Sequence, residues 1–247
     1  MTFSDARAKI KRADEHIANL ETRLTDLPKS YISSIEIDPT ARYKAIKHDM
    51  TDTELRVDIA LLIGDAAHNL NCALDYSWIE TITKLVPSAV GKHAKFPVYP
   101  THDALEGTLC GRIVDATSER LYRFIIDEIK PYNGGNFAIW PVHVLDKRDK
   151  HRLLIPLLTF ASIEGIKLED QSGTIHTGGT WGTAQAPPYY VDFLYDLNIK
   201  DKGNLSLDIT FDDTLIDYAP RVDGTLSIYS RFIVEVVKTL EAFVETV

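Results

Sequence analysis

Cysteine is scarce in this chain. Only Cys72 and Cys110 occur among 247 residues, which excludes a disulfide framework as the source of stability. Both are read as reduced thiols, and the cytoplasm is the expected location. No run of about 18 apolar residues is present, so no membrane span is expected. The first residues, Met1 to Arg7, lead straight into charged sequence without the apolar core of a signal peptide, so export by that route is not expected. Positive charge is also short: 27 Lys and Arg stand against 36 Asp and Glu, a net charge of −9. Most of such a surface repels polyphosphate, so nucleic acid could bind only at a local basic patch. The patterns CxxC, HExxH, GxGxxG and GxSxG are absent, as is the phosphate-binding GxxxxGK followed by Ser or Thr. That disfavours the commonest zinc, dinucleotide, nucleoside triphosphate and α/β-hydrolase chemistries.

What is present is an ordinary globular balance, 45% hydrophobic and 26% charged, enough to bury a sizeable core. Phe3, Ala6, Ile10, Ala13, Ile17, Leu20, Leu24 and Leu27 recur every three or four residues. They predict an amphipathic helix that Ser4 or Asp5 can cap and Pro28 ends. Strand-like runs from Tyr31 and from Tyr43, separated by Asp38-Pro39-Thr40, predict a β-hairpin over about 31–48. Thr51-Asp52-Thr53-Glu54 has the capping-box pattern, and a long helix follows to about Val86. Its apolar arc holds Leu62, Ile63, Ala66, Ala67, Leu70, Ala73, Leu74 and Ser77. Further helices are expected near 118–129 and after Asn136. From Leu153 to Tyr218 short β-rich runs punctuated by glycine predict a small antiparallel sheet. Leu226, Tyr229, Ile233, Val236, Leu240, Phe243 and Val247 make a second seam on a last helix.

The expected class is therefore α+β. It is a helical bundle of long N-terminal, central and C-terminal helices, with a β-hairpin and a small antiparallel sheet inserted before the last helix. In segments, 1–152 is helical with the hairpin, 153–219 is the sheet region, and 220–247 returns to the bundle as part of one compact unit. A seam left unfilled inside the chain would pair between chains, so a homodimer is a reasonable expectation.

Two clusters could carry chemistry. On the central helix Asp65, His68, Asn71 and Asp75 form a polar stripe opposite the apolar arc. A carboxylate one turn from a histidine can hold one imidazole tautomer and leave the other nitrogen free as a base. The bland alternative is a solvated face with paired side chains. The second cluster crowds His143, Asp146, Lys147, Arg148, Asp149, Lys150, His151 and Arg152 into ten residues at a helix end. Cations there complement the helix dipole, and they also supply groups that bind an anion.

These residues resemble a group of uncharacterised bacterial proteins. Their central helix reads roughly G-D-x-x-H-N-L-R-S-A-L-D-H, and they carry Q-P-Y before a loop and D-K-H-R before the sheet. Gly64-Asp65-Ala66-Ala67-His68-Asn69-Leu70 with Ala73-Leu74-Asp75 is similar to the first motif. Pro131-Tyr132 matches the second in part, and Asp149-Lys150-His151-Arg152 the third in full. The likeness spans roughly 30–160 and implies no established activity. The family's R-S-A-L-D-H also looks like the R-x4-H motif of HEPN-type helical RNases. Here Asn71 stands where that arginine would be and Tyr76 where the histidine would be. Such an RNase chemistry is missing both its cation and its proton carrier.

The leading expectation is a hydrolase or nuclease-like enzyme acting on a phosphodiester or other anionic substrate, with no cofactor. His68 is the base, with Asp65 or Asp75 orienting it. His151 is the acid, Asp149 positions it, and Arg152 and Lys150 bind the anion. Asp65, Asn71 and His143 complete the substrate-binding set. This requires the central helix and the 149–152 segment to meet around a cleft. The alternative is a non-catalytic interaction protein whose same residues form a structural polar network. A divalent-metal site is a third possibility, without diagnostic ligand spacing.

Overall fold

A computed structural model of the chain describes residues 3–38, 40, 42–52, 54–87, 95–110, 119–152, 157–183, 188–194, 196–211, 216 and 220–247. The side chains at 109–110, 151–152, 157–160, 181 and 183 lie outside that description. The fold is α+β. The chain forms two compact bodies, each assembled from separate stretches. One holds Met1–Leu20, Leu61–Ile155 and Gly224–Val247; the other holds Glu21–Ala60 and Pro156–Asp223.

The first body is helical. Helix α1 is Ser4–Asp26, α2 is Glu54–Leu85, α3 is His102–Cys110 and α4 is Glu119–Arg123, which continues as a π-helical stretch over Phe124–Ile129. Helix α5 is Ile139–Arg152, and α6 is Val222–Glu245. The seam of α1 is buried from Phe3 to Leu20, and that of α6 from Leu226 to Leu240. The two helices pack on each other: Ser230 Oγ donates to Asp14 Oδ1 at 2.6 Å, and Arg7 pairs with Glu241. These seam positions are covered within the chain, so burying them needs no second copy. Helix α1 also meets α2, where Lys9 Nζ donates to Asn69 Oδ1 at 3.2 Å.

Two helix starts differ from expectation. Neither Ser4 nor Asp5 takes the free N–H ahead of α1. The Phe3 N–H donates to Glu80 Oε2 at 2.8 Å, so a carboxylate from α2 meets the positive helix end. At α2 the cap is Asp52, whose Oδ1 accepts from the N–H of Glu54 and of Leu55, each at 3.1 Å. Thr51 is one residue too early, and its hydroxyl donates instead to the Ser30 carbonyl.

The second body is antiparallel β structure. Strands β1 (Tyr31–Asp38) and β2 (Tyr43–Met50) form the expected hairpin, with Ile35 opposite Ile46. A two-stranded hairpin is marginal alone. Here β2 uses its other edge to pair with β7 (Tyr189–Leu194), placing Ile46 opposite Val191. The hairpin thus belongs with the later β segment, not with the N-terminal helices as the sequence suggested. Together the hairpin and that later segment form three three-stranded sheets among the described residues, in place of one small sheet. Their orders are β1-β2-β7, β6-β3-β9 and β5-β4-β8. Here β3 is Leu157–Glu164, β4 Lys167–Glu169, β5 Ile175–Thr177, β6 Trp181–Thr183, β8 Asn198–Asp201 and β9 Asn204–Phe211. Ile46, Ile163, Ile166 and Val191 form a core cluster of this body.

Helix α2 is the structural axis of the first body. Its arc is buried as expected: Ile63, Ala66, Ala67, Leu70, Ala73 and Leu74 are at most 0% exposed. The opposite side is not a solvated stripe. Asn69 and Asn71 are each only 8% exposed, because α1 covers the first and α5 the second. Truncation on the two sides of this axis separates burial from chemistry. Leu70→Ala is expected to lower stability by about 2–5 kcal/mol, the range for a buried leucine. Leu61→Ala, at a half-exposed position of the same helix, should stay within roughly 0.5 kcal/mol. Urea unfolding of both variants measures the contrast.

Candidate functional site

The site grows from α5. Asn136 Oδ1 accepts from the Ala138 N–H at 3.1 Å just ahead of the helix, which fixes where it starts. Ala138, Ile139, Val142 and Leu145 then form its buried face. Asp146 follows on that same face and is 4% exposed. A carboxylate buried there must be met by donors, because an uncompensated charge in such a place costs several kcal/mol.

Three donors meet it. His68 Nδ1 lies 2.8 Å from Asp146 Oδ1. Asn71 Nδ2 and Lys150 Nζ donate to Oδ2 at 3.0 and 2.7 Å. The ionised carboxylate only accepts, so the proton of a neutral His68 sits on Nδ1 and its lone pair on Nε2. The sequence reading asked for an orienting carboxylate on the same helix, Asp65 or Asp75. The carboxylate comes instead from α5. Asp65 stays mostly exposed, 3.7 Å from His16 Nδ1. Asp75 accepts from the Phe96 N–H at 2.8 Å.

A second contact fixes the distance between α2 and α5. Gly64 faces Asp149 so closely that a Cβ at position 64 would lie 2.6 Å from Asp149 Cγ. Glycine is required for the approach, not for its backbone freedom, since the position is helical. Burial, then the charges of Asp65 and Asp146, hold the Asp149 carboxyl above its ordinary range.

Beside the Asp146 cluster lies a cavity of about 280 Å³. Helix α2 lines it with Asn71 and Asp75, and the segment after α2 with Lys95 and Phe96. Helix α5 contributes His143, Asp146, Lys147 and Lys150. Burial pushes the Asp75 carboxyl up and the His143 imidazole down, so both lean toward their neutral forms. His143 has no hydrogen-bond partner among the described residues, and its ring lies 6.2 Å from that of Trp140.

The structure therefore brings Asn71, Asp75, His143 and Lys150 to one cavity, with His68 held next to it through Asp146. Asp149 packs on Gly64 and Asp65 turns toward His16, so neither lines the cavity. The side chains of His151 and Arg152 lie outside the described residues, and the expected meeting of His68 with His151 with them. Asn71, at the position of the RNase arginine, is spent as a donor to Asp146. Tyr76, at the position of the histidine, does not line the cavity. The sequence placed Asp146 and Lys147 in the second cluster without giving either a role, and gave no sign of Lys95. Asp146 was detectable: at about 100° per residue it falls within roughly 40° of Ile139 and Val142, a carboxylate inside an apolar face. Lys95 carried no signal, because only the chain's path after α2 delivers it.

Among the described residues no group of His, Cys, Asp and Glu side chains could hold a metal ion. No helix is long and apolar enough to cross a membrane, among the residues searched. No protein-family model, curated protein or solved structure matches the chain.

Two outcomes follow for stability. Gly64→Ala gains roughly 1 kcal/mol of helix propensity but costs about 1–3 kcal/mol in overpacking against Asp149, so net destabilisation is expected. In an Asp149→Ala background the same change should become stabilising by about 1 kcal/mol, and a denaturation double-mutant cycle reads the reversal. The second outcome concerns pH. An unfolded imidazole binds a proton below its ordinary value of 6.5, while folded His143 resists doing so. The unfolded state then holds more protons, so stability falls as the pH drops below 6.5. His48 in the second body, also depressed by burial, adds to the same loss. Unfolding midpoints across pH should show a shallower acid loss for His143→Gln than for the wild type.

Proposed function

We propose that the protein is an enzyme acting on a phosphodiester or another anionic ester, bound in the cavity between α2 and α5. The observation that carries this is the charge placement. A chain of net charge −9 gathers three lysines, Lys95, Lys147 and Lys150, around one ligand-sized cavity. Lys150 is committed to Asp146, whereas Lys95 and Lys147 have no ion-pair partner among the described residues. These two hold the anion, and Asn71 and Lys150 border it. His143 takes the role of base that the sequence reading gave to His68. Its burial keeps it neutral and able to take a proton from the attacking oxygen. Asp75, more readily protonated than an exposed carboxyl, returns a proton to the leaving oxygen. Asp146 and His68 are positioning residues that hold the cavity wall.

The resemblance to the bacterial family stands as a proposal of the same kind. Its support is that Gly64 and Asp149, one from each of the two longest motif matches, are in closest approach. A free thiol at Cys72 fits the reducing cytoplasm.

The second reading, a non-catalytic interaction protein, is favoured by the satisfied network on Asp146, which is sufficient to lock two helices without any reaction. Titration with inorganic phosphate and turnover of bis(p-nitrophenyl) phosphate decide between them. The enzyme reading expects saturable phosphate binding, weakened about tenfold or more by Lys95→Ala/Lys147→Ala through lost charge-assisted contacts. It expects His143→Ala to lower turnover about 100-fold with an unchanged unfolding midpoint. The acid limb of the wild-type rate should lie below 6.5, where His143 protonates. Absence of both binding and turnover, with Asp146→Asn acting on stability alone, leaves the interaction protein.

A further inference from the structure

The cavity between α2 and α5 holds charges of both signs that do not neutralise each other. Lys95 and Lys147 form no ion pair among the described residues. Asp75, on α2, accepts from the Phe96 N–H through Oδ1 at 2.8 Å. Its Oδ2 has no hydrogen-bond or ion-pair partner among the described residues, although it shares the lining with Lys95, Lys147 and Lys150. Asp146 is different, because His68, Asn71 and Lys150 already satisfy it. The cavity thus offers cations for an anion and, apart from them, one carboxyl oxygen for a hydrogen-bonding group. A carboxylate beside an anion repels it, so Asp75 disfavours a bare anion and favours a ligand that also brings it a donor.

We infer that the ligand of this cavity is a hydroxylated organic phosphate, its phosphate held by Lys95 and Lys147 and a hydroxyl of its organic part bonded to Asp75. The inference rests on the phosphoester reading and names the substrate class. Asp75 is the acid on the leaving side in that reading, so the hydroxyl belongs to the alcohol that leaves, beside the ester oxygen. Other groups suit the place less well. An ammonium is repelled by Lys95, Lys147 and Lys150 around the same space. An alkyl group leaves Oδ2 without a partner, which costs free energy. A hydroxyl carries no charge, and it both donates and accepts. It serves Asp75 as carboxylate or as neutral acid, whereas an ammonium serves only the carboxylate. That matters because burial pushes the Asp75 carboxyl toward its neutral form. Size agrees: a cavity of about 280 Å³ lies just below the usual ligand range of about 300–1,000 Å³, which suits a phosphate on a chain of few carbons. Phe96 gives that chain an apolar wall.

Isothermal titration of the intact protein at neutral pH, with propyl phosphate, glycerol 1-phosphate and ethanolamine phosphate as probes, tests this. The first two share a phosphate on a three-carbon chain and differ only in hydroxyls. The wild type is expected to bind glycerol 1-phosphate about tenfold more tightly than propyl phosphate, the usual worth of one hydrogen bond to a charged group. Ethanolamine phosphate should bind no more tightly than propyl phosphate. Asp75→Asn keeps an oxygen for the Phe96 N–H and removes the charge. It should cut the preference for glycerol 1-phosphate to within about threefold, with propyl phosphate bound as well as before or better. A merely structural role for Asp75 would weaken both ligands alike and leave the preference. Equal binding of glycerol 1-phosphate and propyl phosphate by the wild type overturns the inference. So does tighter binding of ethanolamine phosphate than of glycerol 1-phosphate, or a preference that Asp75→Asn leaves intact. In each of these cases the phosphoester reading still stands. Absence of binding by every probe, inorganic phosphate included, removes that reading and this inference together. Should Asp75→Asn fail to fold, the wild-type comparison of the three ligands still decides it.

Discussion

The first body depends on one requirement, that a negative charge placed inside an apolar helix face be fully met. Asp146 cannot reach water, so α2 must present donors to it at a fixed height and rotation. His68 and Asn71 supply them from the same face, one turn apart, and Lys150 supplies a third from α5 itself. Such a cluster adds less to net stability than an apolar contact of the same size, because desolvation offsets most of the attraction. What it adds is registry. Sliding α5 along α2 by one residue would leave a charge and two amide or imidazole donors without partners. The cavity inherits its geometry from this registry.

Much of the fold was legible because its elements declare themselves by period. The seams of α1 and α6, the apolar arc of α2 and the hairpin were each visible in residue spacing. The class α+β followed from the change of period after residue 153. Pairing between distant segments was not legible. Nothing in Tyr43–Met50 specifies that its free edge is completed by Tyr189–Leu194, since register between remote strands is set by what remains to be buried. Caps failed for a related reason. Local patterns name Ser4 or Thr51, whereas a carboxylate from another helix or the next residue along wins once the chain is packed.

The two stretches singled out in the sequence, on α2 and α5, meet in the structure, and their side chains pair across the helices and not along them. His68 was chosen because a carboxylate stood one turn away, yet Asp65 points to α1, and the orienting group is on the facing helix. A one-dimensional reading ranks neighbours along the helix above neighbours across it. Asp149 is expected to position His151, and its place beside Gly64 gives it a packing reason to be there. The lysines of α5 were attributed in part to the helix dipole. Lys95, arriving from another segment, joins Lys147 and Lys150 around one cavity whose lining also holds Asp75 and Asp146.

The interleaving of segments bears on how such a chain comes together during synthesis. Asp14 finds its partner in Ser230, 216 residues later, and the Ile46 strand waits for the one bearing Val191. Neither body is complete until nearly the whole polypeptide is available. Long loops must close before these contacts repay the lost chain entropy. The α1 seam and the β2 edge, made well before their partners, therefore stay exposed to other chains until β7 and α6 arrive.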